Sequence, residues 1–124
     1  MKLLTVDDSA VMRRIIADGA AVAGFDVLEA ANGEAALDIL SREAAEVAVI
    51  LLDWNMPGLN GLETLKRIKA DPRTAEIPVM MVTTESDRKS IVRAVQAGAA
   101  NYLAKPFAAE DLITKIMQTV GEGT

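Results

Sequence analysis

The sequence predicts an α/β domain: a five-stranded parallel sheet, doubly wound, on a (βα)5 plan. Two observations carry that reading. Continuous apolar runs such as "VAVILL" (47–52) and "PVMMV" (78–82) do not alternate, which suits strands covered on both faces. Between successive runs lie segments whose apolar residues recur at helical spacing. Strand–helix units repeated in this way need crossovers, and right-handed crossovers leave only doubly wound forms. The 124 residues, 51% of them hydrophobic, suit one domain over residues 1–124.

The elements follow in order. Leu3–Val6 reads as the first strand. A helix comes next, on which Val11, Ile15 and Val22, with Met12 and Ile16 beside them, make an apolar face. Gly24 stands where a C-terminal cap is wanted. Val27–Ala30 is the second strand, and Ala36, Leu37 and Leu40 mark the helix after it. Val47–Leu52 is the third strand. Asn60, with Glu63 three residues later, opens the third helix, Leu62, Leu65 and Ile68 line it, and Asp71–Pro72 ends it. Val79–Val82 forms the fourth strand, and Ser86 before Asp87 suits the start of a helix carrying Ile91 and Val95. Gly98 closes that helix. Tyr102–Ala104 is the fifth strand, and Leu112, Ile116 and Val120 repeat at i, i+4, i+8 along the last helix. The final "GEGT" reads as a frayed end.

Composition narrows the chemistry. No stretch approaches the roughly 18–20 apolar residues of a membrane span, and the start is too short for a signal peptide, so no membrane insertion and a cytoplasmic address are expected. There is no cysteine and no histidine, which excludes thiolate chemistry, Ser-His-Asp triads and zinc fingers. A net charge of −5 and only Phe25, Trp54, Tyr102 and Phe107 as aromatics argue against nucleic-acid binding.

In open α/β sheets ligands bind beyond the carboxyl ends of the strands. Those ends carry Asp7 and Asp8, then Asp53, Thr83 and Lys105. Each has a plainer use taken alone: a helix-start charge, an Asx turn, strand propensity, a solvated lysine. Together, at the edges of four strands, they read as one site. Two like charges about 4 Å apart repel by roughly 4 kcal/mol at a surface-like dielectric, and one lysine does not neutralise three acids. Oxygen-only ligands point to Mg²⁺. Asp53 can then act as a nucleophile toward phosphorus, with Lys105 as the balancing cation and the Thr83 hydroxyl as a donor to a phosphoryl oxygen. A phosphohistidine donor has to come from a partner, since this chain has no histidine.

Four motifs, "VDDS" (6–9), "LLDWNMPGLNG" (51–61), "VMMVTTES" (79–86) and "NYLAKPF" (101–107), resemble the receiver domains of two-component response regulators, from Lys2 to about Val120. The likeness is to stand-alone, chemotaxis-type (CheY-like) members. It implies a flavodoxin-like fold with strand order 2-1-3-4-5 and a cis Lys105–Pro106 bond. It implies Asp53 as phosphoacceptor, with Mg²⁺ held by Asp8, Asp53 and the Asn55 backbone carbonyl, and by Asp7 through water. Thr83 is the implied switch hydroxyl and Tyr102 the aromatic switch, while Asn55 and Glu85 occupy the positions that tune dephosphorylation. The implied partner surface spans the fourth helix, fifth strand and fifth helix, with Arg88, Ile91, Val95, Tyr102, Leu112 and Lys115. The basic cluster Arg88, Lys89 and Arg93 is assigned to the same face.

The expected function is phosphorelay signalling by a monomer: phosphoryl from a CheA-like histidine kinase, output to a downstream protein such as the flagellar motor switch. Within the family the alternatives are a relay intermediate, a phosphate sink, or a receiver detached from a larger regulator. Two readings lie outside it. A haloacid-dehalogenase-type phosphohydrolase wants a second acid two residues after the nucleophile, where this chain has Asn55; a flavodoxin-like FMN carrier wants a phosphate loop where this chain has "DDSAVMRR".

Overall fold

A computed structural model describes residues 1–84 and 87–122. Strands β1 (Lys2–Val6), β2 (Asp26–Ala30), β3 (Val47–Leu52), β4 (Val79–Thr83) and β5 (Asn101–Ala104) alternate with helices α1 (Ala10–Val22), α2 (Gly33–Glu43), α3 (Gly61–Ala70), α4 (Arg88–Gln96) and α5 (Ala109–Glu122). A single 3-10 turn, Ala44–Glu46, leads from α2 into β3. The strands pair in parallel in the order β2-β1-β3-β4-β5, as the resemblance implied. Starting in the middle of the sheet and winding to both edges leaves a crevice above β1 and β3.

Successive residues of a strand face opposite sides, so a strand buried on both faces needs both alternate sets to be apolar. That is why β3 reads as an unbroken run. Ile50 and Leu52 join Leu4, Val6 and Met81 in a core roofed by residues of α2, α3 and α4, such as Leu40, Leu65 and Ala94. Val49 and Leu51 join Leu3, Met80 and Val82 in a second core under Ile16 of α1 and Leu112 and Ile116 of α5. Each fully buried leucine or isoleucine contributes on the order of 1.5–3 kcal/mol over leaving it exposed.

The caps set where the helices begin. Side-chain oxygens of Ser9, Asn32, Asn60 and Asp87 accept from the backbone N–H groups of Met12, Ala35, Glu63 and Ser90, respectively. The fourth cap is therefore Asp87; the expected Ser86 lies outside the described residues. Gly24 and Gly98 take φ of +93° and +107° just past α1 and α4, the left-handed geometry expected there.

One expectation about packing fails. Val11, Ile15 and Val22, read as part of the apolar face of α1, are 72%, 45% and 75% exposed, and the buried side is Ile16, Gly19 and Ala20. The reason is the approach of α5: a Cβ on Gly19 would stand 2.8 Å from Leu112 Cδ2. Close helix contact selects the small-residue strip of α1 and turns its larger aliphatics outward.

Candidate functional site

Four strand ends and their loops bring Asp7, Asp8, Asp53, Thr83 and Lys105 to the crevice. Asp53 is fixed from both sides. Its N–H donates to the Val6 carbonyl at 2.9 Å, and its Oδ1 accepts from the Trp54 N–H at 2.8 Å. The loop after it folds back so that the Gly61 N–H reaches the Trp54 carbonyl at 2.8 Å. Glu34, at the start of α2, accepts from the Leu59 N–H at 3.3 Å and tethers the same loop.

Asp7 is 1% exposed. Its Oδ1 accepts from the Ser9 N–H at 2.9 Å, and its Oδ2 accepts from Lys105 Nζ at 2.7 Å. Arg13 holds the backbone here: Nη1 donates to the Asp7 carbonyl at 2.7 Å, while Nε donates to Glu29 at 3.1 Å. Lys105 Nζ also lies 3.4 Å from Asp53 Oδ2. The Lys105 N–H donates to the Thr83 carbonyl at 2.9 Å, and the Lys105–Pro106 bond is cis. Thr83 is fully buried at the end of β4, close enough to act on the Asp53 carboxyl. Asp8 is exposed, yet one carboxylate oxygen each from Asp7, Asp8 and Asp53 all lie within 4.8 Å of one another.

Burial drives the Asp53 carboxyl above its ordinary pKa, and the Asp7 charge pushes the same way. Lys105 and Thr83 pull in the other direction without overcoming the loss of hydration. Three carboxylates against one ammonium leave the cluster net negative, with oxygen donors only. A hard divalent cation fits that set, and softer metals that favour nitrogen or sulfur do not.

The sequence reading placed these residues together and missed their supports. Arg13 and Glu34 carry no local signal, because each acts on backbone brought near by the fold. Gly61 had one: it ends the "PGLNG" stretch, and a Cβ on it would stand 2.1 Å from the Asp53 carbonyl oxygen. Asn55 is exposed, two residues beyond Asp53. Glu85 lies outside the described residues.

The expected partner surface is only partly assembled. Arg88 and Val95 are exposed, Ile91 is half-buried, and Lys115 reaches Asn101 Oδ1 at 3.5 Å. Tyr102 is half-buried against the core on the α2–α4 side of the sheet, and its hydroxyl oxygen is shielded from solvent. Leu112 does not belong to this surface. It is 1% exposed, facing the sheet beneath Gly19, because its i, i+4 position with Ile116 is the inward stripe of α5. Arg93 also departs from the expected cluster: its guanidinium lies 5.8 Å from the centre of the Trp54 ring, on the α3 side of α4. No described helix is long and apolar enough to cross a membrane.

Comparison with known proteins agrees with this geometry. The family model described as "Response regulator receiver domain" matches residues 3–117. A chemotaxis protein CheY homolog of Campylobacter jejuni is 43% identical, covering 100% of this chain and 95% of its own. The chemotaxis protein CheY1 of Helicobacter pylori is 44% identical over 98% of each chain. The solved structure of CheY4 from Vibrio cholerae superposes with a TM-score of 0.88 at 32% identity, covering 95% of this chain and 97% of that one. A match across nearly the whole chain, on a sheet of the same order with acids gathered at its crevice, makes this chain a member of the response regulator receiver domain family, whose proteins are signalling switches and not classical enzymes.

Proposed function

We propose that this protein is a chemotaxis-type phosphoacceptor switch, with Asp53 as the acceptor. The observation that carries the reading is the convergence of the Asp7, Asp8 and Asp53 oxygens within 4.8 Å of one another, beside Lys105. Asp8, Asp53 and the Asn55 carbonyl, with Asp7 through water, would hold Mg²⁺, which would supply the charge that lets acids and phosphoryl oxygens share one crevice.

The chain's own residues do the rest. An Asp53 oxygen forms the new O–P bond as the N–P bond of a kinase phosphohistidine breaks, and the released imidazole nitrogen takes a proton from water. Lys105, seated between Asp7 and Asp53, balances charge on the transferred group. The Thr83 hydroxyl, at the end of β4, donates to a phosphoryl oxygen. Hydrolysis of the acyl phosphate resets the site, with Asn55 and Glu85 setting the rate of water attack.

The readout runs from Thr83, which pairs with Ala104, to Tyr102, which pairs with Met81 two positions back in the β4–β5 ladder. Tyr102 is half-buried with its hydroxyl oxygen shielded, and it turns further inward as phosphoryl on Asp53 draws Thr83 toward it. A complete reversal from 1:99 to 99:1 takes about 5.5 kcal/mol of differential binding. Arg88, Ile91, Val95, Tyr102 and Lys115 then present the altered surface to a protein target, the flagellar motor switch among the candidates. A CheA-like kinase in the cytoplasm is the proposed donor.

The test is intact mass after incubation with acetyl phosphate and Mg²⁺. One phosphoryl group should be gained, mapped to residue 53, and lost in Asp53→Asn. An unchanged mass, or equal labelling of the variant, overturns the assignment.

A further inference from the structure

Across most of the protein, cations sit against carboxylates, as Lys2, Arg13, Arg42 and Arg73 do. Helices α3 and α4 break this rule. Six basic residues against the single acid Glu63 give the two helices a charge of +5, in a chain of −5. Arg67 pairs with Glu63, and Lys69 donates to the Ala75 and Ile77 carbonyls. For Lys66, Arg88, Lys89 and Arg93, no carboxylate among the described residues lies within 4.0 Å.

Two of these four cations flank a groove. It holds about 180 Å³ between α3 and α4, lined by Leu62 and Lys66 on one side and Arg93, Gln96 and Ala97 on the other. Leu62 and Ala97 give the lining apolar surface, and the exposed Lys66 and Arg93 give it positive charge. Arg93 at that rim also covers the ring of Trp54, the residue next to Asp53.

We infer that the α3–α4 groove is a docking site for an acidic amphipathic helix of a partner protein, distinct from the surface around Tyr102. Apolar side chains of such a helix fill the groove over Leu62 and Ala97, and carboxylates on its edges meet Lys66 and Arg93. Lys66 and Arg93 give up no ion pair with the described residues on binding, so their attraction is available to the partner. Nucleic acid is the poorer match, because the whole chain is acidic and the one nearby aromatic face is already covered by Arg93. The stack of Arg93 on Trp54 makes the Trp54 ring a reporter of groove occupancy.

The probe is a synthetic helical peptide with leucines along one edge and glutamates along the next, titrated into isotope-labelled protein without phosphodonor. Amide shifts should centre on Leu62, Lys66, Arg93 and Gln96, with a change in Trp54 emission. Added salt should weaken binding. The charge reversal Lys66→Glu with Arg93→Glu, on exposed positions, should weaken it about tenfold while leaving the circular dichroism unchanged. Asp53→Asn should bind the peptide as the parent does, which separates this site from the phosphoacceptor reading. Shifts centred on Tyr102 and Lys115, affinity unmoved by the charge reversal, or equally tight binding of a single-stranded oligonucleotide at the groove would each overturn the inference.

Discussion

Gly61 couples the position of α3 to the position of Asp53, and Gly61→Ala breaks that coupling. The added Cβ would stand 2.1 Å from the Asp53 carbonyl oxygen and 2.7 Å from Trp54 Cα. Both are backbone atoms, and neither can rotate away. Restoring an ordinary contact of about 3.4 Å requires α3 and the Asp53–Trp54 peptide to part by about 1.3 Å. That movement also stretches the hydrogen bond from the Gly61 N–H to the Trp54 carbonyl, now 2.8 Å. Overpacking costs 1–3 kcal/mol where side chains can give way, so a loss of about 3 kcal/mol is expected here. A displacement of about 1 Å at a reacting group can cost on the order of 100-fold in rate, so phosphoryl transfer to Asp53 should slow by roughly that factor. Urea unfolding followed by far-ultraviolet circular dichroism measures the first effect. Intact mass against time with acetyl phosphate, below the unfolding temperature, measures the second. A variant within about 0.5 kcal/mol of the parent that labels at the parental rate would refute the steric argument.

Other changes have different signs. Asp53→Asn should stabilise the metal-free protein at neutral pH by on the order of 1–2 kcal/mol, since burial and Asp7 both disfavour the Asp53 charge. Because the folded carboxyl has a raised pKa, its penalty is absent below the ordinary carboxylate range and grows as pH rises through the folded value. The gain in melting temperature should therefore vanish in acid and shrink when Mg²⁺ is added; a gain independent of pH would exclude the charge as its source. Thr5→Val should raise stability by about 1 kcal/mol, seen as a higher urea midpoint, because the Thr5 hydroxyl is buried without a hydrogen-bond partner among the described residues. Gly19→Ala should cost only about 1 kcal/mol and leave labelling of Asp53 intact, as its near contact is the end of the Leu112 side chain and not backbone. Loss of labelling in that variant would show that the α1–α5 contact reaches the site.

The fold class was legible because buried parallel strands need apolar residues on both faces, and "VAVILL" provides them without a break. The helix start at Asn60, and the turns at Gly24 and Gly98, were readable for a similar reason, whereas the fourth helix, expected to start from Ser86, is capped by Asp87. Capping and left-handed backbone are requirements of a few adjacent residues, and local sequence states them. The crevice acids were legible too, since a residue ending a strand of a doubly wound sheet has a known place in space.

Contacts between distant parts of the chain were not legible. Lys105 meets Asp7 across 98 residues, and nothing near either residue announces the other's distance or angle. Helical periodicity marked α1 and α5 but could not say which strip of each turns inward; the close approach at Gly19 settled that, exposing Val11 and burying Leu112. Nor could it place Arg93 over Trp54 and not with the Tyr102 surface. Spacing along one chain reports the shape of an element, whereas the side it buries depends on neighbours that only folding supplies.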